Sequence, residues 1–411
     1  MGIVVQKYGG SSVATPEKIL AVAERVVATR REGYQVVVVV SAMGNTTNEL
    51  LALARSVSEN PHRRELDMLV TVGERISMSL LSMAIQDLGH PAVSFTGSQS
   101  GIITTDNHTN ARIIRVTPMR IQQALAQGQV VIVAGFQGVS ARLEITSLGR
   151  GGTDTTAVAL AAALEADYAE ICSDVDGVYS ADPRHVPGAR RIAELDYEEM
   201  QVLADAGAKV LNAEAVEWAR RHDIEIVCSA THGPRTPGTR IRSGGGLEHA
   251  RVAAITDHPG LIYLEPQVPG APAPAELEGL LVAHGASDAQ VWRLLNAWAA
   301  VVPRQNIHGH RAFREAIDAL GGVAVREDLT LVAVVGRALT APPAVMPIAL
   351  SALAHAGVEV RGQMLDPHRL AFLVEAVRAK DAVRALHLAL VEGQPTLTAG
   401  GVAPQDASEV E

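Results

Sequence analysis

From Met1 to about Ala230, short β-branched runs alternate with longer segments of helical apolar spacing, and this alternation is the strongest constraint on the fold. Six runs have the length and near-continuous apolarity of buried strands: residues 3–6, 35–40, 92–95, 130–136, 169–173 and 224–229. Strands of that kind separated by helices predict an α/β layer fold with a mainly parallel sheet covered on both faces. Between them, Leu66, Leu69, Val70, Gly73, Ile76, Leu80, Leu81 and Ala84 recur at helical spacing and are expected to face the sheet as one stripe. Residues 153–166 read as another buried helix.

With 411 residues the chain exceeds one core's usual reach, so further domains are expected. Residues 231–250, with Gly-Pro-Arg-Thr-Pro-Gly and a triple glycine, break every periodicity and read as a linker. Beyond it, residues 329–335, 344–357, 358–364, 369–375 and 379–390 read strand, helix, strand, strand, helix, close to a ferredoxin-like α+β module over 326–393. Residues 251–325 hold a weaker, degenerate copy, interrupted by Pro266, Pro269, Pro272 and Pro274. The small, polar, acidic run 394–411 is expected to be a disordered tail.

Composition removes several classes of function. A formal charge of −10 and 3% aromatic residues argue against a nucleic-acid surface, which needs basic patches and stacking rings. The N-terminus enters a strand-like run without a basic region or a signal-like apolar segment, and runs such as 36–40 and 130–134 are too short to span a bilayer. A soluble, cytoplasmic protein without membrane partners is expected. Cys172 and Cys228 have no metal or redox spacing and read as inert core thiols. The 14 histidines are scattered, and His308-Gly309-His310 lacks further ligands, so no protein-borne metal site is assigned.

Two loops carry chemistry. The first strand runs into Lys7-Tyr8-Gly9-Gly10-Ser11-Ser12, and Thr15-Pro16-Glu17 then starts a helix. Glycines there let backbone N–H groups approach an anion, with the lysine adding charge and the serines donors. The same residues also fit a tight turn with an exposed lysine, and residue types alone do not separate the two. The lysine precedes the glycines, so this is not a P-loop, and no G-x-G-x-x-G fingerprint is present. The second loop, Gly149-Arg150-Gly151-Gly152-Thr153-Asp154-Thr155-Thr156, again precedes an apolar helix and combines glycine, hydroxyl and charge. Its arginine can grip a carboxylate in a bidentate pair. Helix capping by Thr153 or Asp154 explains the acid and hydroxyl but not the Gly-Arg-Gly-Gly run.

These loops, with Ser41-Ala42-Met43-Gly44-Asn45-Thr46-Thr47, Val72-Gly73-Glu74-Arg75 and Ser173-Asp174-Val175-Asp176-Gly177-Val178-Tyr179, together resemble the aspartokinases. The similarity is collinear over roughly residues 1–230, and the Lys-Tyr-Gly-Gly-Ser-Ser form separates that family from other amino-acid kinases. The resemblance implies an amino-acid-kinase three-layer α/β sandwich over 1–230, followed by ACT-like modules that make a homodimer or higher homo-oligomer. It implies transfer of phosphate from ATP, with Mg²⁺, to the side-chain carboxylate of L-aspartate. The product would be 4-phospho-L-aspartate, the first step toward lysine, threonine and methionine.

Carried over residue by residue, Lys7, Asp154 and Lys209 would be catalytic, the lysines balancing charge on the transferring group and Asp154 orienting them. Gly9, Gly10, Ser11 and Ser41 would line the phosphates together with Lys7 and Lys209. Ser173, Asp174, Tyr179, Asp182 and Arg184 would surround base, ribose and phosphates. Thr47, Glu74, Arg150, Gly151 and Thr153 would hold aspartate, with Glu74 on its ammonium and Arg150 on its α-carboxylate. No general base is needed, because the attacking carboxylate is already ionised at neutral pH.

Three departures from the family stand out. Thr153 replaces a common serine and adds a methyl group. The run Leu211-Asn212-Ala213-Glu214-Ala215 lacks a His-Pro pair and is given no catalytic role. In the C-terminal half, Gln267-Val268-Pro269-Gly270 lacks an acid two positions before Pro-Gly, and Asp366-Pro367-His368 stands where a Ser-Glu pair is expected. Weakened or altered feedback by lysine or threonine is the expected consequence. The competing functions are a related kinase acting on glutamate, acetylglutamate or UMP, and a non-catalytic amino-acid-binding regulator. Thr47, Glu74 and Arg150 favour an α-amino acid over the first, and retention of Lys7, Asp154 and Lys209 speaks against the second.

Overall fold

The computed structural model of the chain describes residues 1–149, 151–208, 210–233, 236–244, 252–267, 274–286, 289–293, 298–304, 307, 309–341 and 345–393. All six expected strands are present and form the body of one eight-stranded sheet. In spatial order it runs Glu194–Leu195, Thr239–Ile241, Ile226–Ala230, Tyr168–Ser173, Ile3–Tyr8, Gln35–Val40, Val130–Ala134, Ala92–Phe95. The six long strands are mutually parallel.

Strand Gln35–Val40 shows why the layers stack as they do. Side chains alternate across a strand, and here every position after Gln35 is valine, so both faces are apolar. Val37 and Val39 pack into one core with Ala157 and Leu160 of helix Gly152–Ala163. Val36, Val38 and Val40 pack into a second core with Ile19, Val22 and Val26 of helix Pro16–Arg31 and Leu81 and Ile85 of helix Val72–Asp87. A helix–sheet–helix sandwich follows from that alternation.

The expected stripe over residues 66–84 is only partly right. The helix is divided at Thr71 into Arg63–Val70 and Val72–Asp87. Ile76 and Leu80 face outward at 43% and 38% exposure, while Gly73, Glu74, Ser77 and Ser82 lie inside. The cause is a close approach at Gly73, where an added Cβ would stand 2.7 Å from Cβ of Ala42. That contact turns small and polar residues onto the sheet side. Arg63–Asp87 is the one helical stretch among the described residues long and apolar enough to cross a bilayer, and 56% of its apolar window is buried inside the fold.

The 231–250 segment is not wholly irregular. Thr239–Ile241 pairs antiparallel with Ile226–Ala230 and extends the sheet. Gly238, at φ 70°, allows the reversal, since an added Cβ would fall 2.3 Å from the Cys228 carbonyl oxygen. Three residues between glycines and prolines give no periodic signal, which is why the sequence hides this strand. The run 394–411 and residues 245–251 lie outside the described residues.

C-terminal to this, two four-stranded antiparallel sheets form. Leu261–Pro266, Pro274–Ala283, Gln290–Arg293, Trp298–Pro303, His310–Leu320 and Val323–Arg326 make a βαββαβ unit whose strands lie in the order fourth, first, third, second. The copy expected to be degenerate therefore has a full ferredoxin-like complement. Pro266 ends its first strand and Pro274 begins its first helix, so those prolines flank the elements they were expected to interrupt. Pro269 and Pro272 lie outside the described residues.

The second unit has Leu329–Gly336, Val345–His355, Gly362–Leu365, Arg369–Glu375 and Ala379–His387. Its remaining strand comes from earlier in the chain: Val252–His258 pairs with Leu329–Gly336. The two units are thus interleaved in sequence, the first inserted between one strand of the second and the rest. Arg337, just past strand Leu329–Gly336, reaches back to Asp196 and, at 3.1 Å, to Glu199 at the start of helix Tyr197–Asp205. This ion pair ties the C-terminal half to the large sheet.

Candidate active site

Parallel α/β sheets bind ligands beyond the carboxyl ends of their strands. Here Tyr8 is level with Val40 and Cys172, and Val40 with Ala134, so the loops after four central strands emerge along one edge. Gly9-Gly10, Ser41–Gly44, Gly135 and Ser173-Asp174 all stand there.

Lys7, near the end of its strand, places Nζ 2.7 Å from Oδ1 of Asp154, with the side chains only 13% and 11% exposed. Asp154 lies in the first turn of helix Gly152–Ala163, whose N-cap Gly151 adopts φ 74°. A helix N-terminus carries partial positive charge and free N–H donors, so lysine and helix end together favour an anion at this point. The acid keeps Lys7 oriented.

Ser41 Oγ donates to Thr153 Oγ1 at 3.0 Å. The methyl group of Thr153 is accommodated by Gly135, at which an added Cβ would stand 2.6 Å from Thr153 Cγ2. The exchange of serine for threonine is therefore matched across the site. Gly10 is held against the neighbouring loop: Gly44 N–H donates to its carbonyl at 3.0 Å, and an added Cβ would meet the Ala42 oxygen at 2.8 Å. Ser11 is exposed, with its carbonyl accepting from Lys18 Nζ at 2.7 Å.

Glu74 is the most unusual group at this edge. It is 3% exposed, and Oε1 accepts from Ala42 N–H at 3.2 Å. Oε2 is buried with no hydrogen-bond partner among the described residues. Burial pushes its carboxyl up to about 7, against the opposing effect of backbone N–H donors. A buried acceptor of this kind calls for a cationic donor. Thr47, half-buried at the start of helix Thr46–Val57, belongs to the same loop-and-helix corner.

Gly151 packs against Asn212, whose Nδ2 would lie 2.3 Å from an added Cβ. The side chain of Asn212 also caps helix Ala213–His222 by accepting from Glu214 N–H at 2.9 Å. Asn212 thus shapes the loop although its segment was given no catalytic role. Arg150 and Lys209 lie outside the described residues.

On the other flank, Ser173 Oγ closes a turn by accepting from Val175 N–H at 3.2 Å, and Asp174 follows in that turn. Tyr179 donates to Asp176 at 2.7 Å. Arg184 pairs with Asp182 at 2.7 Å and is 80% exposed, and its hydrogen bond holds the Asp182 carboxyl below the usual range. Both cysteines are free and buried, and burial pushes each thiol up to about 12, which leaves them inert at neutral pH.

One residue that shapes this edge was missed. Asp67 is fully buried and accepts from Ser147 Oγ at 2.5 Å and Thr109 N–H at 3.1 Å, with His108 Nδ1 at 2.6 Å. It pins strand Ile145–Ser147 and the 108–109 turn just before the Leu148-Gly149 approach to the loop. The available signal was an acid inside the apolar run Leu66-Asp67-Met68-Leu69-Val70.

The chain is similar to known proteins along most of its length. The model of the amino acid kinase family matches residues 2–229. An aspartokinase from Mycolicibacterium smegmatis is 44% identical over 412 residues, covering 94% of this chain and 96% of that protein. The crystal structure of E. coli aspartokinase III in complex with aspartate and ADP, in its R-state, is 26% identical with a TM-score of 0.83, covering 94% of this chain and 99% of that one. The same enzyme with lysine and aspartate, in its T-state, gives 0.73 at 26% identity, covering 95% and 99%.

Proposed function

This chain belongs to the aspartokinases of the amino acid kinase family and is an aspartate kinase; from that premise we propose how its residues divide the work. Lys7 neutralises the phosphoryl group in transit from ATP, Asp154 holds Lys7 in place, and the Gly9-Gly10 loop with Ser41 receives the phosphates. Glu74 takes the ammonium of L-aspartate, with Thr47, Gly151 and Thr153 beside it, and Arg150 and Lys209 complete the set. Ser173, Asp174, Tyr179, Asp182 and Arg184 hold the nucleotide. The observation that carries this assignment is the meeting, at one sheet edge, of a lysine–aspartate pair at a helix N-terminus with a buried carboxylate one of whose oxygens lacks a donor among the described residues.

The chemistry asks little of the protein beyond placement. The aspartate side-chain carboxylate attacks the γ-phosphorus, the bond to the ADP oxygen breaks, and no proton need move. Lys7 and the N-terminus of helix Gly152–Ala163 meet the charge spread over the transferring oxygens. Among the described residues no group of three His, Cys, Asp or Glu could hold a metal ion. Mg²⁺ would come to the site on the nucleotide phosphates and neutralise their charge. The product, 4-phospho-L-aspartate, is an activated acid suited to reductive or acyl-transfer chemistry toward lysine, threonine and methionine.

The assignment separates two subsites and can be tested as such. Thr47→Val is expected to raise KM for aspartate by about tenfold with KM for ATP within about twofold, and Arg184→Ala to do the reverse. Steady-state kinetics with each substrate varied in turn would decide it, and a variant that moves both constants equally would contradict the division.

We also propose a kinase unit over residues 1–230 and two ACT-like units beyond it through which copies of this cytoplasmic chain associate, with weakened effector control. The turn Asp366-Pro367-His368 is occupied by its own bonds, His368 N–H donating to Asp366 at 2.9 Å. Lysine plus threonine at millimolar concentration is expected to change the rate by less than about twofold. Strong inhibition in that assay would refute the weakened control.

A further inference from the structure

The back of the candidate nucleotide loop is built by helix Ala379–His387. His387 closes helix Ala379–His387 and is completely buried. Its Nε2 lies 2.9 Å from Ser180 Oγ and its Nδ1 2.9 Å from Glu392 Oε1. Ser180, 3% exposed, sits between Tyr179 and the Asp182–Arg184 pair. It is held four ways: its N–H donates to Arg190 O at 2.8 Å, its carbonyl accepts from Ile255 N–H at 2.7 Å, its Oγ accepts from Arg190 N–H at 2.9 Å, and His387 takes the fourth bond.

The partner of Nδ1 fixes its role. Glu392, as a carboxylate, only accepts, so Nδ1 donates to it. Ser180 Oγ, which accepts from Arg190 N–H, completes the chain of bonds at Nε2. The order serine–histidine–acid matches that of a nucleophilic triad, but burial of Ser180 leaves its oxygen no access to a substrate. The chain of bonds is a fastening.

Neighbouring contacts act in the same sense. Ala181 and Val186 of the loop share one apolar core with Val383, Leu386 and Leu390. Arg384 donates to the His185 carbonyl at 2.8 Å, and an added Cβ at Gly188 would stand 2.2 Å from Glu392 Oε1. Inward-facing residues of the loop are thus gripped by helix Ala379–His387 and the segment after it, while Arg184 stays exposed.

We propose that His387 is a positioning residue for ATP: through Ser180 it fixes the loop that presents Tyr179, Asp182 and Arg184 to the nucleotide. This rests on the assignment of that loop to ATP made above. A serine left without its buried partner must turn or bond elsewhere, and the loop shifts with it.

The test uses full-length enzyme and five proteins: wild type, His387→Ala, His387→Gln, Ser180→Ala and Arg184→Ala. For His387→Ala, KM for ATP and the calorimetric Kd for ADP are expected to rise about tenfold, with kcat within about threefold and KM for aspartate within about twofold. Glutamine can place a polar atom near the Nε2 position and should restore both nucleotide constants to within about threefold. Ser180→Ala removes one hydroxyl and should repeat the ATP effect, which keeps the question answerable if His387→Ala fails to fold. Unchanged nucleotide constants in Ser180→Ala while Arg184→Ala raises them would overturn the positioning role and leave the ATP loop intact. Unchanged constants in Arg184→Ala would instead overturn the loop assignment and the proposal with it. Equal losses in every parameter would reduce the contact to a purely structural one and also overturn the proposal.

Discussion

Lys7→Ala is expected to lower kcat by about a thousandfold, with KM for aspartate changed less than about threefold. The lysine is asked to stabilise charge that develops on the transferring group, so its loss should fall on the chemical step. Stability should suffer too. Lys7 and Asp154 are both nearly buried, and removing the cation leaves a desolvated carboxylate at a cost of about 3 kcal/mol. Asp154→Asn should lose most of the same kcat, because an undirected lysine does little more than an absent one. The double variant should then fall well short of the product of the two single effects. Rapid-quench kinetics with thermal unfolding of all four proteins checks both parts.

Glu74→Gln is expected to cost about a hundredfold in kcat/KM for aspartate and to make the protein more stable at pH 8. The sign follows from linkage. The folded-state carboxyl titrates at about 7, above its ordinary 4.5, because burial disfavours the charge. Below pH 4.5 the group is protonated in folded and unfolded chain alike and contributes nothing. Between 4.5 and 7 the unfolded chain ionises first, so stability falls as pH rises, by about 3 kcal/mol in all once the pH passes 7. Glutamine removes that penalty. In the wild type, kcat/KM for aspartate should rise as pH climbs through about 7, as the free enzyme gains the carboxylate that receives the substrate ammonium. Unfolding at pH 5.5 and 8 with pH–rate profiles of both proteins tests the prediction. A wild-type profile flat through neutrality would contradict it.

The core of this arrangement was legible in the sequence because it depends on local pattern. Six apolar runs separated by helical periods can hardly make anything but a covered parallel sheet, and the loops after its strands are where glycine, lysine and hydroxyls had already been noted. Lys7 and Asp154 are remote in sequence, yet each follows from its own motif, and the fold brings them to 2.7 Å. What stayed hidden depends on contacts between distant segments. Nothing in Val72-Gly73-Glu74-Arg75 says that Gly73 will approach Ala42 so closely that Glu74 turns inward and Ile76 and Leu80 outward. Asp67, Asn212 and His387 are similar: each acts on a loop that another part of the chain provides. Strand Val252–His258 also escaped assignment, because its partner, Leu329–Gly336, lies beyond an entire inserted unit.

The most direct test of the account is acyl-phosphate formation by the purified full-length protein with ATP, Mg²⁺ and L-aspartate, trapped with hydroxylamine, beside L-glutamate and beside Lys7→Ala. Aspartyl hydroxamate and ADP in equal amounts are expected from the wild type, with negligible hydroxamate from glutamate and none above background from the variant. Equal turnover of glutamate, or full activity without Lys7, would contradict it.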